Sequence, residues 1–146
     1  MAHLSQVQHF LKPLEDAFGF SAIVNANGVL HLAGMVSITD QGTVFAPGDM
    51  AAQIDRIYDI MEITLAKFGA TLEHVVNEVM YTTDLAKLME AIPVRSRRYQ
   101  GHAYPATTAM QIVALAFPDA MLEIQVTAQL KNEEWSADIP PLGSPV

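Results

Sequence analysis

The cleanest pattern in the chain runs from Met121 to Leu130. Leu122, Ile124, Val126, Ala128 and Leu130 alternate with Glu123, Gln125, Thr127 and Gln129. Period two over ten residues predicts an antiparallel strand with one buried and one polar face. A second pattern has helical spacing: Ile54, Ile57, Tyr58, Met61, Leu65 and Phe68 recur at steps of three and four, with Asp55, Asp59 and Glu62 off the stripe. That predicts a helix with one apolar face. Asp49 stands ready to accept from its first-turn N–H groups, and Gly69 suits a left-handed C-terminus. Phe20–Asn25 and Val29–Gly34 read as two short strands around Asn27-Gly28, the turn residues of a tight hairpin. Val75–Thr83 is rich in β-formers, and Asp84 can cap a second helix running to about Gln100. Pro93 falls inside that helix, where a missing N–H predicts a kink or a restart. Thr107–Leu115 is a further strand. Two helices against five or six strands make a two-layer α+β domain. Residues 18–130 hold these elements, residues 1–17 read as an N-terminal extension, and the Pro- and Gly-rich residues 131–146 as an irregular tail.

Composition narrows the function. The 146 residues are 51% apolar and 16% charged, too apolar for a disordered chain. There is no cysteine, which excludes disulfides, a thiolate nucleophile and thiolate metal sites. Sixteen acidic residues against eight Lys and Arg leave a net charge of −8, an unfavourable balance for neutralising phosphates, so no nucleic acid partner is expected. No run of eighteen apolar residues occurs and the N-terminus lacks a basic–apolar leader pattern, so the sequence reads as soluble and cytoplasmic, with no membrane partner.

Phosphate-loop, dinucleotide, zinc-protease and nucleophile-elbow motifs are absent. The five histidines, His3, His9, His31, His74 and His102, lack metal-ligand spacing, so no metal is expected. Arg95, Arg97 and Arg98 hold three of the four arginines. They read either as a solvated or interface helix face, or as a carboxylate clamp, since guanidinium matches carboxylate two-pronged. Glu123 lies on the polar face of the last strand. Left open there, it is plain surface; covered by a neighbouring copy, it would lose water and suit acid–base chemistry.

Several segments taken together resemble the reactive-intermediate deaminase family (RidA/YjgF, also called L-PSP endoribonuclease-like). Gly19-Phe20-Ser21 resembles its Pro-Tyr-Ser opening, and Leu30–Gly34 its strand ending in Ser-Gly. The helix from Asp49 to Ala70 and the strand ending at Asp84 follow in order. Tyr104-Pro105-Ala106-Thr107-Thr108, Ala114-Leu115 and Leu122-Glu123-Ile124 resemble the signature that ends the domain. The resemblance implies a chorismate-mutase-like fold and a homotrimer with three inter-subunit clefts. It also implies hydrolysis of reactive enamines or imines to keto acids and ammonia, cofactor-independent and without metal. Glu123 matches the glutamate that positions water. The sequence departs elsewhere: the signature arginine is Thr107, the cleft asparagine aligns near Ile92, the tyrosine is Phe20 and the serine is Ala33. The expected site is therefore catalytic Glu123 with substrate-binding Phe20, Ala33, Ile92, Tyr104, Thr107, Thr108, Arg97 and Arg98. The expected function is hydrolysis of a reactive metabolite different from the family's usual substrates, because Thr107 replaces the carboxylate-binding arginine. A non-catalytic trimer that binds a small metabolite is the alternative. A ribonuclease, as the older family label suggests, is disfavoured by the acidic charge.

Overall fold

A computed structural model describes residues 5–130; the expected tail at 131–146 lies outside them. Seven strands and three helices follow in the order β1 (Ser5–Gln8), α1 (Lys12–Phe18), β2 (Ile23–Ala26), β3 (Val29–Leu32), β4 (Met35–Val36), α2 (Met50–Ala66), β5 (Val75–Thr82), α3 (Leu85–Arg98), β6 (Ala106–Gln111) and β7 (Leu122–Gln129). The sheet order is β1-β2-β3-β7-β5-β6, with β4 also on β7. Only β5–β6 is parallel, because helix α3 carries the chain back across the sheet between them. The α+β class is as expected, with one strand and one helix more than the sequence suggested. No helix among the described residues is long and apolar enough to cross a membrane.

The two strongest patterns become the core. Leu122, Ile124, Val126 and Ala128 of β7 are buried beneath Ile54, Ile57, Tyr58, Met61 and Leu65 of α2. The Asp49 carboxylate accepts from the Ala52 N–H at 3.0 Å, the expected cap. Asn27 and Gly28 take φ of 52° and 86°, both left-handed as the two-residue hairpin requires. Helix α3 runs through Pro93 without restarting. Pro93 and Met89, whose carbonyl would be its partner, are both exposed, so the missing bond falls on the solvent side.

Two elements depart from the sequence reading. Strand β6 stops at Gln111 rather than Leu115, because its partner β5 ends at Thr82, whose carbonyl accepts from the Ile112 N–H at 2.8 Å. Residues read as an extension carry β1, paired with β2, and α1. Glu15, fully buried, ties them down. Its Oε2 accepts from the Phe10 and Leu11 N–H groups at 2.9 and 2.7 Å, and Oε1 from the Ala22 N–H at 2.6 Å. This carboxylate fixes the approach of α1 to β2 and so places Phe18 and Phe20.

Register decides which residues share a face. Leu122, Ile124 and Val126 pair with Thr82, Met80 and Glu78, and these with Gln111, Ala109 and Thr107. All of these belong to the face covered by α2 and α3. Glu123, Gln125 and Thr127 pair with Tyr81, Val79 and Asn77 on the opposite face, which no helix among the described residues covers.

Candidate active site

Strands β3 and β4 lie on the same side of β7, but they are not continuous. β3 pairs with residues 127–129 and β4 with residues 123 and 124. The break at Ala33-Gly34 opens a gap in the ladder, and the Glu123 side chain occupies it. A Cβ added to Gly34 would overlap Glu123 Oε1 and stand 2.8 Å from Cδ, so this glycine is set by the close approach of the carboxylate. On one side of Glu123 is a hollow of about 320 Å³ walled by Phe18, Phe20, Ala33, Val36, Ala116 and Phe117. On the other is a shallower hollow of about 380 Å³ that includes Tyr81, Leu115 and Gln125.

The Glu123 carboxylate accepts no hydrogen bond from any described residue. It is half-buried, and loss of water raises its pKa above the ordinary carboxylate range. A carboxylate in that state is a better proton acceptor from water than a solvated one. The Gly34→Ala substitution is expected to push the carboxylate off its seat and return its pKa toward the ordinary value. A 13C-detected pH titration of the Glu123 carboxyl would read the shift; an unchanged titration would show that Gly34 does not hold it.

The polar cluster on the other face was not read from the sequence. Glu78 is wholly buried. Its Oε1 accepts from Arg95 Nε at 2.6 Å, and its Oε2 from the Tyr58 and Tyr99 hydroxyls at 2.6 and 2.7 Å. Arg95 Nη2 then donates to Thr107 Oγ1 at 2.9 Å. The guanidinium carbon lies 5.1 Å from the Tyr99 ring centroid and 5.9 Å from that of Tyr104, within cation–π range. Burial and Glu78 push both buried tyrosines above their ordinary range. Burial alone would lower the Arg95 pKa, but Glu78 and the tyrosines outweigh it and the net direction is up.

One protomer therefore gathers Glu123, Phe20 and Ala33 around a single hollow and adds Phe18, Phe117 and Gly34 there, with Tyr81 in the second hollow; the sequence reading named none of these four as site residues. It does not bring Thr107 to Glu123: the register puts them on opposite faces, and Thr107 is engaged by Arg95. Tyr104 stands with Arg95 on that far side, and Ile92 packs on the core from α3. Thr108 shares the Glu123 face, paired with Val79 on the exposed edge. Arg98 faces α2, bonded to Asp59 and Glu62, and Arg97 is exposed on α3. Neither arginine lines a hollow beside Glu123.

Comparison with known proteins agrees with this fold. The family model for Endoribonuclease L-PSP matches residues 11–130. The RutC family protein YjgH of Escherichia coli is 27% identical over 115 residues, which is 78% of this chain and 85% of that protein. A RutC family protein of Pyrococcus abyssi is 26% identical over 109 residues, covering 75% and 84%. A crystal structure of a YjgF-family member from Mycobacterium tuberculosis superposes with a TM-score of 0.74 at 28% identity, covering 86% of this chain and 99% of that one. The fold, the order of the segments and the match over residues 11–130 agree: the chain belongs to the RidA/YjgF, or endoribonuclease L-PSP, family.

Proposed function

We propose that the protein is a homotrimeric, cofactor-independent hydrolase of imines or enamines, acting in clefts that copies of the chain form over the open sheet face. The observation that carries this reading is the Glu123 carboxylate: unpaired among the described residues, half-desolvated, seated on Gly34 and bordered by apolar walls. Water held by Glu123 attacks the imine carbon while the carboxylate takes its proton. With the imine protonated, the C=N electron pair moves to nitrogen and the carboxylate hands the proton on to that nitrogen; as the C–N bond breaks, its pair leaves with nitrogen and the remaining hydroxyl proton passes to the carboxylate, so that a C=O bond forms. A carbonyl compound and ammonia leave. Burial of the hollow by a neighbouring copy would strengthen the carboxylate as a base by removing competing water.

The test generates imines in solution with an oxidase and follows them by semicarbazide trapping. Imine that the protein hydrolyses escapes the trap, so semicarbazone forms more slowly while ammonia appears sooner. Catalysis by the wild-type chain that is lost in Glu123→Gln supports the reading. Thermal stabilisation by a carbonyl ligand with no turnover on any imine would instead leave a metabolite-binding trimer.

A further inference from the structure

The hollow beside Glu123 continues inward. An inner cavity of about 60 Å³ adjoins it, and the two share Phe20, Ala33, Gly34, Val36 and Phe117 as walls. The inner cavity reaches Leu14 of α1 and Ile60 and Thr64 of α2. Ile60 and Thr64 are buried in the core face of α2, so the far end is closed by the chain itself and does not depend on what packs on the open sheet face.

Close-packed interiors keep few voids of this size, because each costs stability. Small residues hold this one open. Ala22 and Ala33 both line it, with the Ala33 N–H donating to the Ala22 carbonyl at 2.9 Å. Gly34 has no room for a side chain because Glu123 stands there. The side chains around the cavity are apolar except for the Thr64 hydroxyl, which already donates to the Ile60 carbonyl at 2.7 Å. A buried water needs about two to four polar partners, and these side chains do not supply them, so the cavity suits hydrocarbon. Its volume is well below the roughly 150 Å³ that holds benzene. A short alkyl chain fits and an aromatic ring does not.

We infer that the inner cavity receives the tail of the substrate, so that the imines hydrolysed best carry an unbranched alkyl chain on the imine carbon. This rests on the hydrolytic role proposed for Glu123. The tail passes Ala33 and Gly34 and leaves the imine carbon in the outer hollow, beside the carboxylate. Burying the tail away from water then holds the reacting carbon in place for attack.

An amino acid oxidase acting on alanine, norleucine and phenylalanine supplies imines with a methyl, a butyl and a benzyl substituent. An amine oxidase acting on ethylamine, pentylamine and 2-phenylethylamine supplies the same three without a carboxylate, and semicarbazide trapping reads all six. In the series that is turned over, the butyl imine is expected to be hydrolysed about tenfold faster or more than the methyl imine, in kcat/KM, and faster than the benzyl imine. Ala22→Val fills the cavity from β2 and Thr64→Ile fills it from α2; either should bring the butyl-to-methyl ratio below about threefold. Xenon enters dry apolar cavities, so it should shift the Leu14 and Ile60 methyl resonances of the wild type and not those of the filled variants. Equal rates for butyl and methyl, a benzyl imine that matches butyl, or a preference that survives in both filled variants overturns the tail pocket and leaves the hydrolase reading standing. Absence of the xenon shifts in the wild type overturns the pocket whatever the rates. Hydrolysis of none of the six overturns both.

Discussion

Replacing Arg95 by methionine is expected to cost about 3–5 kcal/mol of stability, the usual penalty for leaving a buried charge unpaired. The variant keeps most of the side-chain volume but strands Glu78, which is wholly buried. The Tyr58 and Tyr99 hydroxyls would still donate to Oε2, but Oε1 would lose its partner. A domain of this size is stable by about 5–15 kcal/mol, so the loss is a large fraction of the total. Adding Glu78→Gln to Arg95→Met removes both charges and should recover much of the deficit. Urea denaturation of the two single variants and the double variant gives the coupling directly. A single variant within about 1 kcal/mol of wild type would show that Glu78 reaches water when Arg95 is absent.

The Glu123→Gln variant is expected to move activity and stability in opposite directions. If Glu123 is the base, turnover falls about 10²–10⁴-fold while the shape of the site is kept. The same substitution should raise the melting temperature at neutral pH. Desolvation raises the folded-state pKa of Glu123, so the folded chain binds a proton that the unfolded chain has released. Stability from this group is then present below the unfolded pKa and lost as pH rises through the folded one. The gain in Glu123→Gln should thus be seen at neutral pH and vanish in acid. Turnover by the wild type follows the ionised form, so its acid limb should lie above the ordinary carboxylate range. Lower turnover with a lower melting temperature would mean that Glu123 is packed as a structural group.

What the sequence revealed follows from the length of each pattern. Strand β7 and helix α2 have eight and seventeen residues, enough for a period to stand out against chance, and both were legible together with their caps and the Asn27-Gly28 turn. Strand β1 and helix α1 have four and seven, too few to show a period, and what fixes them is a buried Glu15 whose partners are backbone N–H groups. Glu123 could be placed on the polar face of its strand by alternation alone. The same parity argument was available for Glu78, which alternates with Met80 and Thr82 and therefore points into the core. A carboxylate at a core position needs a cation, and the arginine cluster at residues 95–98 on the following helix was one source. The face of Thr107 was not legible, because it depends on the register between β5 and β6. Nor was the role of Gly34, which is set by a side chain 89 positions later in the sequence.

The open sheet face is central, since the dryness of the Glu123 hollow and the charge of its surroundings both depend on what covers it. Sedimentation equilibrium at micromolar concentration tests this most directly. A mass of three chains, with Gln125→Arg on that face shifting the population toward monomer, is the result expected. A stable monomer, or a trimer indifferent to charge at Gln125, would contradict it.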